Sequence, residues 1–288
     1  MTRGCIIFAY DGEIDYGSQA VAAAKLVQRH LEVPVSIITD LATYESIQAK
    51  FNQLPFDKII LTDVSNDKNK RILNDGTRSS NLVSFVNGNR NHAWELTPYD
   101  RTLVIDSDFL VLSNVLNQYW DVDYDFLITP GMIDLAQLDR DPKDFYISKY
   151  SIPMLWATNI MFTKNAESKL VFDLVLHIKE NYAYYAALYH FDPVHFRNDY
   201  AFSIACHIMS NHGQDPWHGE LPCPILIRDI DEIHKVQEEQ ITFILKDRKT
   251  SNNSILAHTK HQDVHVMNKY SILNKLDDLL KVAENVAT

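Results

Sequence analysis

Two aspartates separated by one residue, Asp106 and Asp108, stand between two apolar runs, Leu103-Val104-Ile105 before them and Phe109 to Leu112 after. Apolar runs of this kind are buried strands, and a buried carboxylate needs a partner. Residues two apart in an extended chain point to the same side, so both carboxylates can face one cation. Oxygen ligands suit the hard divalent ions Mg²⁺ and Mn²⁺, which often share their coordination with substrate phosphates. A plainer role, capping a turn or a following helix, is open to any Asp-x-Asp. The chain carries controls of the same spacing: Asp121 with Asp123, Asp123 with Asp125, and Asp229 with Asp231. The first two pairs precede a strand signal, whereas Asp106 and Asp108 end one. Open parallel sheets bind ligands beyond the carboxyl ends of their strands. Position, rather than spacing, favours a metal at Asp106 and Asp108.

The elements that must position these carboxylates follow from the hydrophobic pattern. An apolar strand over 5–10 runs into the polar loop Tyr10-Asp11-Gly12. Ala20, Ala24, Val27 and Leu31 recur at helical spacing and predict a helix over 18–30. A strand over 35–39 ends at Asp40, a helix covers 43–54, and a strand covers 58–61. This βαβαβ rhythm predicts an α/β fold with a Rossmann-like, mostly parallel central sheet flanked by helices. A helix over 82–96 is expected to lead into the Asp106 strand. Later strands are expected over 125–129, 155–163, 224–228, 241–245 and 254–257, and helices over 167–188, 199–210 and 272–286. The polar stretch 65–80, with Lys68, Lys70, Arg71 and Arg78, reads as a solvated surface loop. Residues 130–150 read as a long polar connection of the kind that serves as a lid or binding loop.

The chain has 288 residues, 46% hydrophobic and 23% charged, the mix of an ordinary globular protein with ample core. Repeats, low-complexity tracts and composition breaks are absent, which predicts one domain over 1–288. Cys5-Ile6-Ile7-Phe8 is too short for a signal peptide and no stretch has membrane-spanning length, so a cytoplasmic protein is expected. Three scattered cysteines suit a reducing compartment. The net charge of −11 opposes non-specific nucleic-acid binding. An anionic substrate must therefore be met by a metal or by a few placed cations.

The segment Thr97-Pro98-Tyr99-Asp100-Arg101-Thr102-Leu103-Val104-Ile105-Asp106-Ser107-Asp108 resembles the DxD region of nucleotide-sugar glycosyltransferases with the GT-A fold. The likeness is to the family-8-like branch and its phage and bacterial relatives. Trp156-Ala157-Thr158-Asn159-Ile160-Met161-Phe162 resembles a later strand of that group, with Asn159 at the asparagine and Ile160 where the family has glycine. Arg197-Asn198-Asp199-Tyr200-Ala201-Phe202 resembles its acidic helix start. The three segments occur in family order and span most of the chain.

The resemblance implies a GT-A domain, with residues 1–112 as a nucleotide-binding half and 113–288 as an acceptor-binding half ending in a metal-ligand segment and a helix. It implies Mn²⁺ or Mg²⁺ held by Asp106, Asp108 and a histidine, with a nucleoside-diphosphate sugar, expected to be a UDP-sugar, as donor. The family's His-x-x-Gly-x-x-Lys motif is replaced by "ILAHTKHQDVHVMNK", residues 255–269. There His258 ends an apolar strand and is the preferred third ligand, with Lys260 meeting the diphosphate. His265, followed by Asn268 and Lys269, is the rival. Tyr10 is expected to stack on the base, and Asp11 to accept from base or ribose. Arg90 and Ser107 are expected at the donor. Asp199 is the expected base or sugar-orienting carboxylate, with Asn159 beside it. A zinc site from His258, His261 and His265 on one helical face lacks a nearby cysteine. Aromatic side chains such as Trp156, Tyr185 and Tyr189 read as packing.

A metal-dependent transfer of a sugar to an acceptor hydroxyl is thus the leading expectation. The acceptor is a glycan, a small molecule or a modified DNA base. The alternatives are a nucleotidyltransferase, which would normally show a glycine-rich phosphate loop after the first strand, and a non-catalytic nucleotide-sugar-binding protein on the same fold.

Overall fold

The computed structural model describes residues 1–63, 68–74, 80–86, 89–136, 145–238, 240–247 and 253–284. Strand β1 (Arg3–Phe8) leads into helix α1 (Tyr16–Leu31), then β2 (Val35–Thr39), α2 (Leu41–Lys50) and β3 (Lys58–Leu61). Asp15 caps α1 by accepting from Ser18 N at 2.9 Å, and Asp40 caps α2 by accepting from Thr43 N at 2.8 Å. Asp40 follows β2 directly, whereas Asp15 stands seven residues after the end of β1, and each cap starts its helix.

The backbones of β4 (Lys68–Asn74) and β5 (Ser80–Val86) pair antiparallel. The expected surface loop and the helix over 82–96 are thereby corrected. Asn81-Leu82-Val83-Ser84-Phe85-Val86 is rich in β-branched and aromatic residues, which favour strand. Arg78 lies outside the described residues. Only a turn of 3₁₀ helix (Arg90–His92) and the short helix α3 (Ala93–Leu96) remain of the expected helix.

Strand β6 (Arg101–Asp106) ends at the first aspartate, and β7 (Phe109–Leu110) begins just after the second. Next come β8 (Phe126–Thr129), β9 (Ile133–Asp134) and β10 (Trp156–Thr163). The expected helix over 167–188 breaks at Asn181 into α4 (Ala166–Glu180) and α5 (Tyr182–Tyr189), and α6 (Asn198–Met209) follows. The remaining strands are β11 (Gly219–Glu220), β12 (Ile225–Ile227), β13 (Glu232–Gln237), β14 (Gln240–Lys246), β15 (Ser254–Lys260) and β16 (Val264–Val266). Helices α7 (Lys269–Leu273) and α8 (Leu276–Glu284) replace the single expected terminal helix.

The central sheet has the order β11-β8-β10-β6-β1-β2-β3. Its strands run parallel except β10, which is antiparallel to both of its neighbours. Strand β6 is buried along its apolar length, as expected for a sheet covered on both faces. Val104, Ile160 and Phe162 pack on one face against α4 and α6, while Leu103, Ile105 and Met161 pack on the other against α1. A small sheet, β7-β16-β12-β9, and an antiparallel sheet, β13-β14-β15, complete the described strands. No helix among the described residues is long and apolar enough to cross a membrane.

Candidate active site

Phe8 at the end of β1 lies in register with Asp106 at the end of β6. Because β10 is reversed, its first residues arrive where β1 and β6 end, with Asn159 opposite Ile105. A cavity of about 520 Å³ opens there, lined on the strand-end side by Tyr10, Asp106, Ser107 and Asp108 and opposite by Trp156, Thr158 and Asp199.

The histidine beside the two aspartates is His265, not His258. Asp106, Asp108 and His265 offer ligand atoms that all lie within 4.8 Å of one another. His265 sits between Val264 and Val266 on β16 and pairs with Phe109, which turns its ring back toward the turn between β6 and β7. Its Nε2 lies 3.2 Å from Asp108 Oδ2, and its ring meets Trp156 edge-on at 6.4 Å. His258 is exposed on β15, opposite Thr242, and His261 lies in the turn that follows, so no helical face joins the three histidines. Lys260 is likewise exposed on β15 and does not line the cavity. The lysine at the aspartates is Lys269, paired with Asp108 and buried at 7% exposure.

Lys269 is held in place by the start of α7. Asn268 caps that helix by accepting from Ser271 N at 3.0 Å, and its amide donates to Asp231 O at 2.8 Å. On the other side, Arg90 pairs with Asp106 and donates to the carbonyl of Ala157. Burial works against ionisation of Asp106, but the charges of Arg90, His265 and Lys269 hold its carboxyl below the ordinary value. Two carboxylates thus meet two protein cations. The mutual repulsion that the bare spacing implies is already balanced.

Tyr10 lines the cavity and is anchored by a 3.0 Å hydrogen bond between its hydroxyl and that of Thr62. Asp11, expected at the nucleoside, is turned away: its Oδ1 accepts from Gly17 N at 2.8 Å at the start of α1. Gly17 is needed for this approach, since a Cβ there would lie 2.5 Å from Ile47 Cγ2. Asp199, in the first turn of α6, accepts from Ala157 N at 2.9 Å and from Arg197 Nη2 at 2.9 Å, and so faces the cavity in a fixed orientation. Asn159 does not line this cavity. It shares its sheet face with Met161 and bonds through Oδ1 to the Thr129 hydroxyl, while Thr158 takes the cavity side. Arg197, whose guanidinium lies 4.5 Å from the centre of the Tyr200 ring, and Arg228 at the end of β12 are lining cations that the sequence reading missed. Arg197 was legible from its place two residues before Asp199.

No family model and no curated protein sequence matches the chain. Solved structures do. The galactosyltransferase LgtC, in complex with donor and acceptor sugar analogs, aligns over 99% of this chain and 96% of its own, at 12% identity and a TM-score of 0.51. The two share a fold. The glycosyltransferase GlyE of Streptococcus pneumoniae TIGR4 aligns over 77% of this chain at 11% identity and a TM-score of 0.44, and the chain spans only 45% of GlyE's length.

Proposed function

We propose that the chain is a metal-dependent glycosyltransferase that moves a sugar from a nucleoside-diphosphate sugar, a UDP-sugar by preference, to an acceptor hydroxyl. The observation that carries the reading is the convergence of Asp106, Asp108 and His265 within 4.8 Å in a strand-end cavity. LgtC is a galactosyltransferase, and the shared fold supports a transferase here. The site draws on both the 1–112 and the 113–288 halves, which supports a single domain.

The donor set fits a divalent ion. Two carboxylates and an imidazole suit Mn²⁺ or Mg²⁺ and leave octahedral positions for phosphate oxygens. Such an ion supplies Lewis-acid neutralisation of the diphosphate leaving group. Arg90 and Lys269, beside the ligand carboxylates, add positive charge for that group. Tyr10 offers its ring to the base. Asp199, fixed by Ala157 and Arg197, orients the sugar or accepts the acceptor's proton.

The balance of Asp106 and Asp108 by Arg90 and Lys269 favours a second reading, a non-catalytic nucleotide-sugar-binding protein. Calorimetric titration with UDP and other nucleoside diphosphates, with and without Mn²⁺, and a screen of nucleotide sugars for metal-dependent hydrolysis test both. Mn²⁺-dependent binding with hydrolysis supports the transferase. Binding without hydrolysis selects the second reading, and no binding overturns both.

A further inference from the structure

Strand β15 ends the three-stranded sheet β13-β14-β15, and among the described residues only β14 pairs with it. The opposite edge of the same sheet is protected. The pairing of β13 with β14 shifts register between Ile233 and Lys235, and α8 packs against β13. Bulges and covering helices blunt a sheet edge, as do proline and charge. Strand β15 uses little of this. It pairs with β14 in one unbroken register over seven residues, and it contains no proline, no acid and one lysine.

Ile255 and Leu256 are the one consecutive pair among the exposed large apolar side chains of the described residues, each with more than half of its surface open. Successive residues of a strand point to opposite faces. A membrane surface or a helix laid on either face of the sheet would cover one of the two and leave the other bare. A further strand laid along the edge meets both. It also gives partners to the outward row of backbone N–H and C=O groups.

We propose that the occupant is β15 of a second copy of this chain, paired antiparallel about a two-fold axis at Ala257. In that register Lys260 stands opposite Ser254 of the second copy, Ile255 opposite Thr259, Leu256 opposite His258, and Ala257 opposite its own equivalent. No two lysines meet, and the smallest side chain of the strand sits at the axis, where identical residues face each other. An in-register parallel pair would instead set Lys260 against Lys260. An edge of seven residues makes a small interface, so a reversible dimer with a micromolar Kd is expected. Each copy carries a net charge of −11, so added salt should tighten the dimer by screening. Strand β15 does not line the cavity at Asp106 and Asp108, so the proposal stands whether or not the chain transfers sugars.

Sedimentation of the full chain from about 2 to about 200 µM tests the association, and a shift from monomer to dimer is expected. Amide hydrogen exchange over the same range locates it. The outward amides of β15 are expected to slow about fivefold when the total concentration is about ten times Kd, because about a fifth of the chain is then monomeric. Leu256→Lys, at an exposed position, adds a charge to the edge and is expected to keep the fold and remain monomeric throughout. A wild type that stays monomeric at the highest concentration overturns the proposal. So does a dimer whose β15 amides exchange as fast as the monomer's, or a Leu256→Lys variant that still dimerises. The exchange measurement needs no substitution, so it decides the matter should the variant fail to fold.

Discussion

Five Asp-x-Asp pairs occur in the chain; Asp139 with Asp141 lies outside the described residues, and the surroundings of the other four differ completely. Asp121 is 77% exposed at its side chain and pairs with Arg3 at the surface, and Asp123 is exposed beside it. Asp231 is buried, but it accepts from Lys246 N at 2.9 Å and Arg228 N at 3.3 Å, so it closes a turn. Asp106 and Asp108 sit where a parallel strand ends, and they meet Arg90, His265 and Lys269. The comparison teaches that spacing makes two carboxylates able to share an ion, while the topology decides whether anything comes to meet them. Two of the partners arrive from more than 150 residues away, where no local window sees them.

The largest effect is expected at Asp108. Its removal by Asp108→Ala should abolish metal-dependent nucleotide binding and destabilise the protein by about 3–5 kcal/mol, because the buried Lys269 loses a carboxylate partner. Urea unfolding measures the second effect, and Lys269→Met in the same background should restore most of it. Full stability of Asp108→Ala alone would show that the two side chains do not depend on each other. Next comes Asp199→Asn, which should lower kcat far more than it weakens nucleoside-diphosphate binding, because it removes charge and keeps size. Equal losses would reduce Asp199 to its bonds with Ala157 and Arg197. Tyr10→Ala should weaken the best nucleotide by roughly 1–3 kcal/mol if stacking on the base is lost. An unchanged Kd would take Tyr10 out of the site.

The pH dependence sharpens the same contrast. The folded state holds the Asp106 carboxyl below its ordinary value of 3.8, so its stabilisation is complete above that value and is lost as pH falls through the folded pKa. Stability of the wild type should therefore fall more steeply below pH 3.8 than that of Asp106→Asn. The smallest effect is expected at the control. Asp123→Ala should change stability by less than about 0.5 kcal/mol and leave metal and nucleotide binding as they were. Loss of metal binding there, with retention in Asp108→Ala, would reverse the assignment.

Much of the sheet was legible because period and punctuation agree in it. Strand and helix alternate through the first 61 residues as the apolar pattern indicates, although the caps at Asp15 and Asp40 start both helices two residues before the expected positions. The choice between His258 and His265 failed for a physical reason. Ile255-Leu256-Ala257 looks like a buried strand leading to a ligand, yet Ile255 and Leu256 are 62% and 66% exposed. Val264-His265-Val266 is a shorter apolar run and is wholly buried. Run length is a poor guide to burial when the short strand β16 is covered along its whole length and the longer β15 is left mostly bare. Asn159 was lost to parity: Thr158 and Asn159 must face opposite sides of β10, so a reading that put the cavity at one had to exclude the other.

The reversal of β10 also has an evolutionary consequence. Tyr10, Asp106 and Asp108 follow strands that leave the sheet, whereas Trp156 and Thr158 belong to a strand that is entering it. The charged floor and the facing wall are therefore inherited through separate stretches of chain, joined by the connection between β8 and β10. Met154, near the end of that connection, lines the cavity, so substitutions there can reshape the wall while the turn carrying the two aspartates keeps its geometry. A lineage built this way can alter one side of the cavity without passing through a form that has lost its carboxylates.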